Sequence, residues 1–240
     1  MSTSPVTQKE SGLGHTIWNY ASEPLAAGLA IMPAFKGLMV KTALQEGKEA
    51  PKITFFEGLK AGRKAASTAG AVIGVQMIAQ NILEQQIGKD PEEQSIKTKF
   101  ASALIVGVVS SPMLATLNKQ TSEPSLSMIE ALGSFSKGQA FAISMREIPF
   151  IASLSCMKLL EKEAKEQFGD NKLIEYLAAT GGVAAGSILG HPADTALTQL
   201  QAEVELKPRL WMKGWKQKAR GVAIFAICFK LGKETLQLKT

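Results

Sequence analysis

The stretch GGVAAGSILGHPADTALTQLQ, residues 181–201, decides the fold. It opens with small residues, reaches Pro192 without a Lys, Arg, Asp or Glu, carries Asp194 two residues on, and ends in Leu200-Gln201. Small residues let helices approach closely in a bilayer. A proline inside an apolar helix removes one backbone hydrogen bond and bends it. A bent, small-residue helix with one acid just past the bend is an unusual object for a soluble domain.

The object recurs. Ser111-Pro112 closes the uncharged run FASALIVGVVSS, and Met32-Pro33 closes LAAGLAI. The three prolines are 79 and 80 residues apart. After each comes an aromatic-x-charge-Gly element: Phe55-Phe56-Glu57-Gly58, Phe135-Ser136-Lys137-Gly138 and Trp211-Met212-Lys213-Gly214. A second apolar segment follows each element. Self-similarity at a fixed period is read before any local motif. Here it predicts an all-α, six-transmembrane-helix bundle of three pseudo-symmetric hairpins: repeats 18–98, 99–172 and 173–240 behind a flexible polar tail, 1–17. The predicted helices cover 22–40, 63–87, 99–118, 139–161, 173–201 and 218–236. A short amphipathic helix is expected where Met128, Ala131, Leu132 and Phe135 recur at helical spacing.

With these residues in view, the chain resembles the mitochondrial carrier family, in divergent form. That family has three tandem repeats of two transmembrane helices. Each odd helix bears P-x-[DE]-x-x-[KR], and an aromatic-x-basic-Gly element precedes each even helix. Pro192-Ala193-Asp194 with Leu200-Gln201 matches in identity and spacing. Arg146-Glu147-Ile148-Pro149-Phe150 is similar to the fourth helix of the S-adenosylmethionine carriers, and Arg220-Gly221 opens the last helix as in other members. The resemblance covers roughly residues 20 to 238 and implies a monomer in the mitochondrial inner membrane. It departs from the family at the gate. The acid positions read Phe35, Leu114 and Asp194, and the base positions Leu38, Leu117 and Leu197. Lys36 is the off-position base expected to reach Asp194. The opposite gate keeps Lys158, Lys162, Lys230 and Lys233 without its acids.

Charge distribution fits a membrane topology. Residues 65–83 are uncharged for nineteen positions and 100–117 for eighteen, each enough to cross a bilayer at about 1.5 Å per residue. The links after the odd helices (36–64, 118–138, 201–220) hold fifteen Lys/Arg against seven Asp/Glu. Those after the even helices (84–99, 161–175) hold six against nine. Basic loops stay on the side from which insertion begins. The net charge of +6 does not point to nucleic acid, because few aromatics interleave with the basic residues. Cys156 and Cys228 lie in apolar helices and imply no disulfide framework, and His15 and His191 alone make no zinc site. No cofactor is implied. The alternative architecture is a soluble helical bundle.

A charge at mid-membrane costs about 2.5–3.5 kcal/mol on the insertion scale, so it turns to a wet cavity or a partner. Arg146 and Glu147 are therefore the first candidate solute contacts. Arg146 lies 34 residues after Pro112, and the residue 34 after Pro33 is Ser67. In repeat three the matching residue by local pattern is Arg220. The family resemblance makes Ser67, Arg146, Glu147 and Arg220 the substrate contacts, with Pro33, Pro112, Pro192 and Asp194 as kink and gate residues. Two arginines and one acid suit an anionic or zwitterionic solute: a nucleotide, an amino acid or S-adenosylmethionine. A structural ion pair is the competing reading of Arg146-Glu147. The competing function is a carrier-like protein that no longer transports. It would act through a mitochondrial or membrane protein partner, or as a serine hydrolase using Ser67, with His191 beside Asp194 as its base.

Overall fold

The structure, a computed structural model, describes residues 13–87, 96–155 and 157–237. The start of the expected tail, the middle of the 84–99 link and Cys156 lie outside the described residues. No strand occurs among those described. The helices are α1 (Leu13–Gln45), α2 (Phe55–Ile87), α3 (Ile96–Ser122), α4 (Met128–Gly133), α5 (Lys137–Ser155), α6 (Met157–Phe168), α7 (Lys172–Leu189), α8 (His191–Gln201) and α9 (Trp215–Gln237).

Local chemistry accounts for the ends of these helices. α1 begins inside the expected tail, at Leu13. α2 begins eight residues before the expected Arg63 because Thr54 and Glu57 cap it reciprocally: the Thr54 N–H donates to Glu57 Oε2 at 2.6 Å, and the Glu57 N–H donates to Thr54 Oγ1 at 3.2 Å. Ser127 and Glu130 do the same for α4. The hydrogen bonds from the Ser127 backbone and hydroxyl hold the Glu130 carboxyl below its usual 4.5. That contribution to α4 is present above the ordinary carboxylate range and is lost as pH falls through the lowered value. Amide protection of Glu130 and Ala131 is expected to drop at low pH, and to be lost in Glu130→Ala at neutral pH while surviving in Glu130→Gln; hydrogen exchange checks this.

The prolines behave differently from one another. Pro33 and Pro112 sit inside unbroken helices. Pro112 cannot bond the carbonyl four residues back, and the Ser111 hydroxyl donates to that Val108 oxygen instead, at 2.8 Å. The bend in the opening stretch is not at Pro192. It falls at Gly190, where α7 and α8 meet at 55°. Pro192 stands in the first turn of α8, where its missing N–H removes no helical bond.

The long helices form a closed ring in chain order. α1 packs on α2, α2 on α3, α3 on α5, α5 on α7 and α8, α7 on α9, and α9 back on α1. Small residues set the closest approaches. On α2, Gly58, Gly62, Ala66 and Gly70 recur every four residues and face α1; a Cβ on Gly62 would lie 2.7 Å from Met32 Cα. Gly182 and Gly186 on α7, and Gly190 just past its end, face α6 and α5 in the same way.

The polarity of the ring is inverted. Leu29, Ile78, Val108, Phe141, Leu177 and Ile227, one from each side of the ring, are between 41% and 70% exposed. Among the described residues, 22 polar or charged residues are buried against 21 hydrophobic ones. In the described segments, residues 21–45 form one helix long and apolar enough to cross a membrane, and the bent α7–α8 pair counts as a second if taken as one span.

Candidate functional site

A cleft of about 150 Å³ runs along the middle of the ring. On α1 its lining extends from Ile31 to Lys41, about 15 Å at 1.5 Å per residue. Its walls are mainly apolar, and its floor is a cluster of buried charge centred on Asp194.

Asp194 is 1% exposed and gathers cations from three helices. Its Oδ1 accepts from Arg146 Nη1 at 3.1 Å. Its Oδ2 accepts from Lys41 Nζ at 3.0 Å and Gln45 Nε2 at 3.1 Å, and Lys218 Nζ lies at 3.4 Å. Arg146 also donates through Nε to Glu147 Oε1 at 2.6 Å. A carboxylate removed from water needs such partners, since an unpaired buried charge costs several kcal/mol. Formally, three cations face two carboxylates. Gly190 makes the arrangement possible: any Cβ there would lie 2.5 Å from the Arg146 carbonyl oxygen. On the other side Gly214 takes φ +80°, a left-handed conformation open to glycine, and seats the chain against the Lys41 carbonyl.

Below the charges, amides and hydroxyls at the C-terminal ends of α1, α3 and α8 close the cleft. Asn118 Nδ2 donates to Gln201 Oε1 at 2.7 Å, and Gln201 Nε2 donates to the Ala115 carbonyl at 2.8 Å. Gln45 Nε2 donates to Thr195 Oγ1 at 2.9 Å, and Thr198 Oγ1 donates to Gln45 Oε1 at 3.0 Å. Thr42 and Thr121 meet at 2.6 Å. Thr121 gives its own proton to the Asn118 carbonyl, so Thr42 is the donor in that pair. Both threonines stand nine residues after their repeat's proline. A buried hydrogen bond contributes about 0.5–1.5 kcal/mol net. A double-mutant cycle with Thr42→Val and Thr121→Val is expected to return a coupling in that range, read from thermal unfolding in detergent.

At the far end of the ring, Lys233 of α9 pairs with Glu23 of α1. Tyr176 of α7 donates to Glu234 Oε2 at 2.7 Å, and Lys230 Nζ sits 4.0 Å from the Tyr176 ring centroid. Lys230 and Lys233 thus find an aromatic partner on α7 and an acidic one on α1.

The sequence-predicted site is brought together only in part. Arg146, Glu147 and Asp194 share the cleft floor. Ser67 and Arg220 do not reach it; both side chains are exposed. The reason is helix phase. On α2 the cleft-lining residues are Ala69, Val72, Ile73 and Gln76, and on α9 they are Lys218, Gly221, Val222 and Phe225. Ser67 and Arg220 stand off those stripes. Counting from Pro33, which placed Ser67, and matching a local pattern, which placed Arg220, both pass over the 3.6-residue period of the apolar stripe. That stripe was the signal for Lys218. Lys36 also fails to reach Asp194: it faces α2, with Gly58 packed on its backbone, and Lys41 takes the bond.

The hydrolase geometry is not assembled around His191. Its Nε2 meets the Lys213 carbonyl at 2.9 Å, and its Nδ1 lies 3.9 Å from Asp194 with no hydrogen-bond partner. Neither ring nitrogen meets a serine hydroxyl. Compared with protein-family models the sequence matches none, and no curated protein is significantly similar to it.

Proposed function

We propose that the chain is a carrier-like membrane protein that moves a small anionic or zwitterionic solute across the mitochondrial inner membrane by alternating access. One observation carries this reading. Every side of the ring exposes large apolar side chains, while five charged residues, four of them buried, gather at the floor of a cleft within. A soluble bundle has the opposite distribution and rarely exposes apolar surface on all sides. In a bilayer it is the expected one, since ionisable groups turn to a water-filled interior. In this reading six rods cross the membrane: α1, α2, α3, α5 with α6, α7 with α8, and α9. The threefold sequence phase and the resemblance to mitochondrial carriers point the same way, and the basic links then share the matrix side. Arg146 and Glu147 hold the solute, and Asp194 is the gate.

The test is uptake into proteoliposomes of labelled nucleotides, amino acids and S-adenosylmethionine. Saturable uptake is expected. Arg146→Ala is expected to lower it about tenfold or more, the loss of one charge-assisted hydrogen bond. A chain that stays in the aqueous fraction without detergent would sink the membrane reading outright.

A second reading is favoured by the floor of the cleft. Its charges converge on Asp194 alone and are closed off below by amides and hydroxyls, with, among the described residues, no ring of charge pairs between successive repeats that could open and reform. A protein held in that closure would not transport. It would act through a partner protein, or hydrolytically through Ser67, which is exposed on α2. Absence of uptake across the panel, together with a cellular effect abolished by Ser67→Ala, selects this reading.

A further inference from the structure

Three polar groups lining the cleft have no hydrogen-bond partner although each is buried. They are Glu147 Oε2, Lys218 Nζ and Ser187 Oγ. Their residues are 3%, 7% and 2% exposed, and all three line the cleft. A buried polar atom without a partner carries a desolvation cost that a ligand can relieve. The groups differ in kind. The Glu147 oxygen accepts, because Oε1 of the same carboxylate is already held by Arg146. Lys218 donates, with only one long approach to Asp194. Ser187 can do either.

From this, and resting on the transport reading above, we propose that the solute is a free α-amino acid with an apolar side chain. Its carboxylate takes Lys218, its ammonium takes Glu147 Oε2, which Arg146 holds in place through Oε1, and Ser187 bonds whichever carboxylate oxygen remains. The side chain lies among Val72, Ile73, Leu114, Phe150 and Phe225, which make up the apolar wall. A simple anion satisfies Lys218 but leaves Glu147 unpartnered and repelled. An amine does the reverse. A nucleotide brings several negative charges to a cluster whose three cations and two carboxylates leave a single positive charge over. Only a ligand that carries both signs close together meets both unpartnered groups and adds no net charge to the buried cluster.

The experiment compares four probes on the full-length protein in detergent and in proteoliposomes: leucine, its 2-oxo acid, 3-methylbutylamine and ATP. Leucine is expected to raise the unfolding temperature and to compete for labelled leucine at least about tenfold better than the acid or the amine, each of which lacks one charged bond. Glu147→Gln is expected to narrow the preference over the 2-oxo acid, and Lys218→Met the preference over the amine. The wild-type probe series stands by itself if either variant fails to fold. Uptake or stabilisation by ATP or the 2-oxo acid in preference to leucine overturns the proposal and leaves transport standing. Stabilisation by leucine without uptake supports the site and overturns transport. No effect of any probe on stability or uptake overturns both.

Discussion

Asp194→Asn is expected to lower the stability of the folded chain by about 3–5 kcal/mol, the usual result of removing one member of a buried ionic cluster. The substitution is nearly isosteric, so packing is preserved and the effect is electrostatic. Lys41, Arg146 and Lys218 all approach this one carboxylate, and Glu147 engages only Arg146. Without the aspartate charge, two buried ammonium groups face a guanidinium with one carboxylate between them. The double variant Asp194→Asn with Lys41→Met is expected to recover a clear part of the loss, because it removes one of the stranded cations. Thermal unfolding in detergent reads both. A single variant within about 1 kcal/mol of wild type would mean that water reaches the cluster and screens it.

The second large effect concerns two glycines on one helix. A Cβ on Gly186 would lie 2.6 Å from the Pro149 carbonyl oxygen and 2.3 Å from Ser153 Oγ, whereas one on Gly181 meets nothing within 4 Å. Gly186→Ala must push α7 off α5 and is expected to cost about 1–3 kcal/mol. Gly181→Ala gains helix propensity on an open face and is expected to stabilise by up to about 1 kcal/mol. The same chemical change five residues apart thus has opposite signs. Because Gly186 and Gly190 share the face against α5, Gly186→Ala is also expected to displace Arg146 from Asp194 and to lower any activity of the cleft. Equal effects at the two positions would show that the α5–α7 contact is loose.

The division between what was legible in the sequence and what was not follows from the range of the interactions involved. Short-range chemistry was used only in part: the short helix after α3 follows from its apolar spacing, but the Thr54–Glu57 capping pair was passed over and the start of α2 was set eight residues late. The bend near Pro192 was readable in kind but misplaced by two residues. A proline in a first turn is compatible with a helix start, so the break falls on the glycine before it.

The tandem phase of three prolines, the uncharged runs and the asymmetry of the basic links are properties of the chain itself, and they determined an all-helical architecture and singled out Arg146, Glu147 and Asp194. Only the tertiary structure decided which side of each helix faces the cleft. It turned Ser67 and Arg220 outward, brought Lys41 and Lys218 to one carboxylate, and closed the floor with Asn118, Gln45 and Gln201. The physical reason is that a helix rotates by about 100° per residue. An offset of one or two positions between repeats, too small to disturb the repeat pattern, therefore moves a side chain from the cleft to the outer surface.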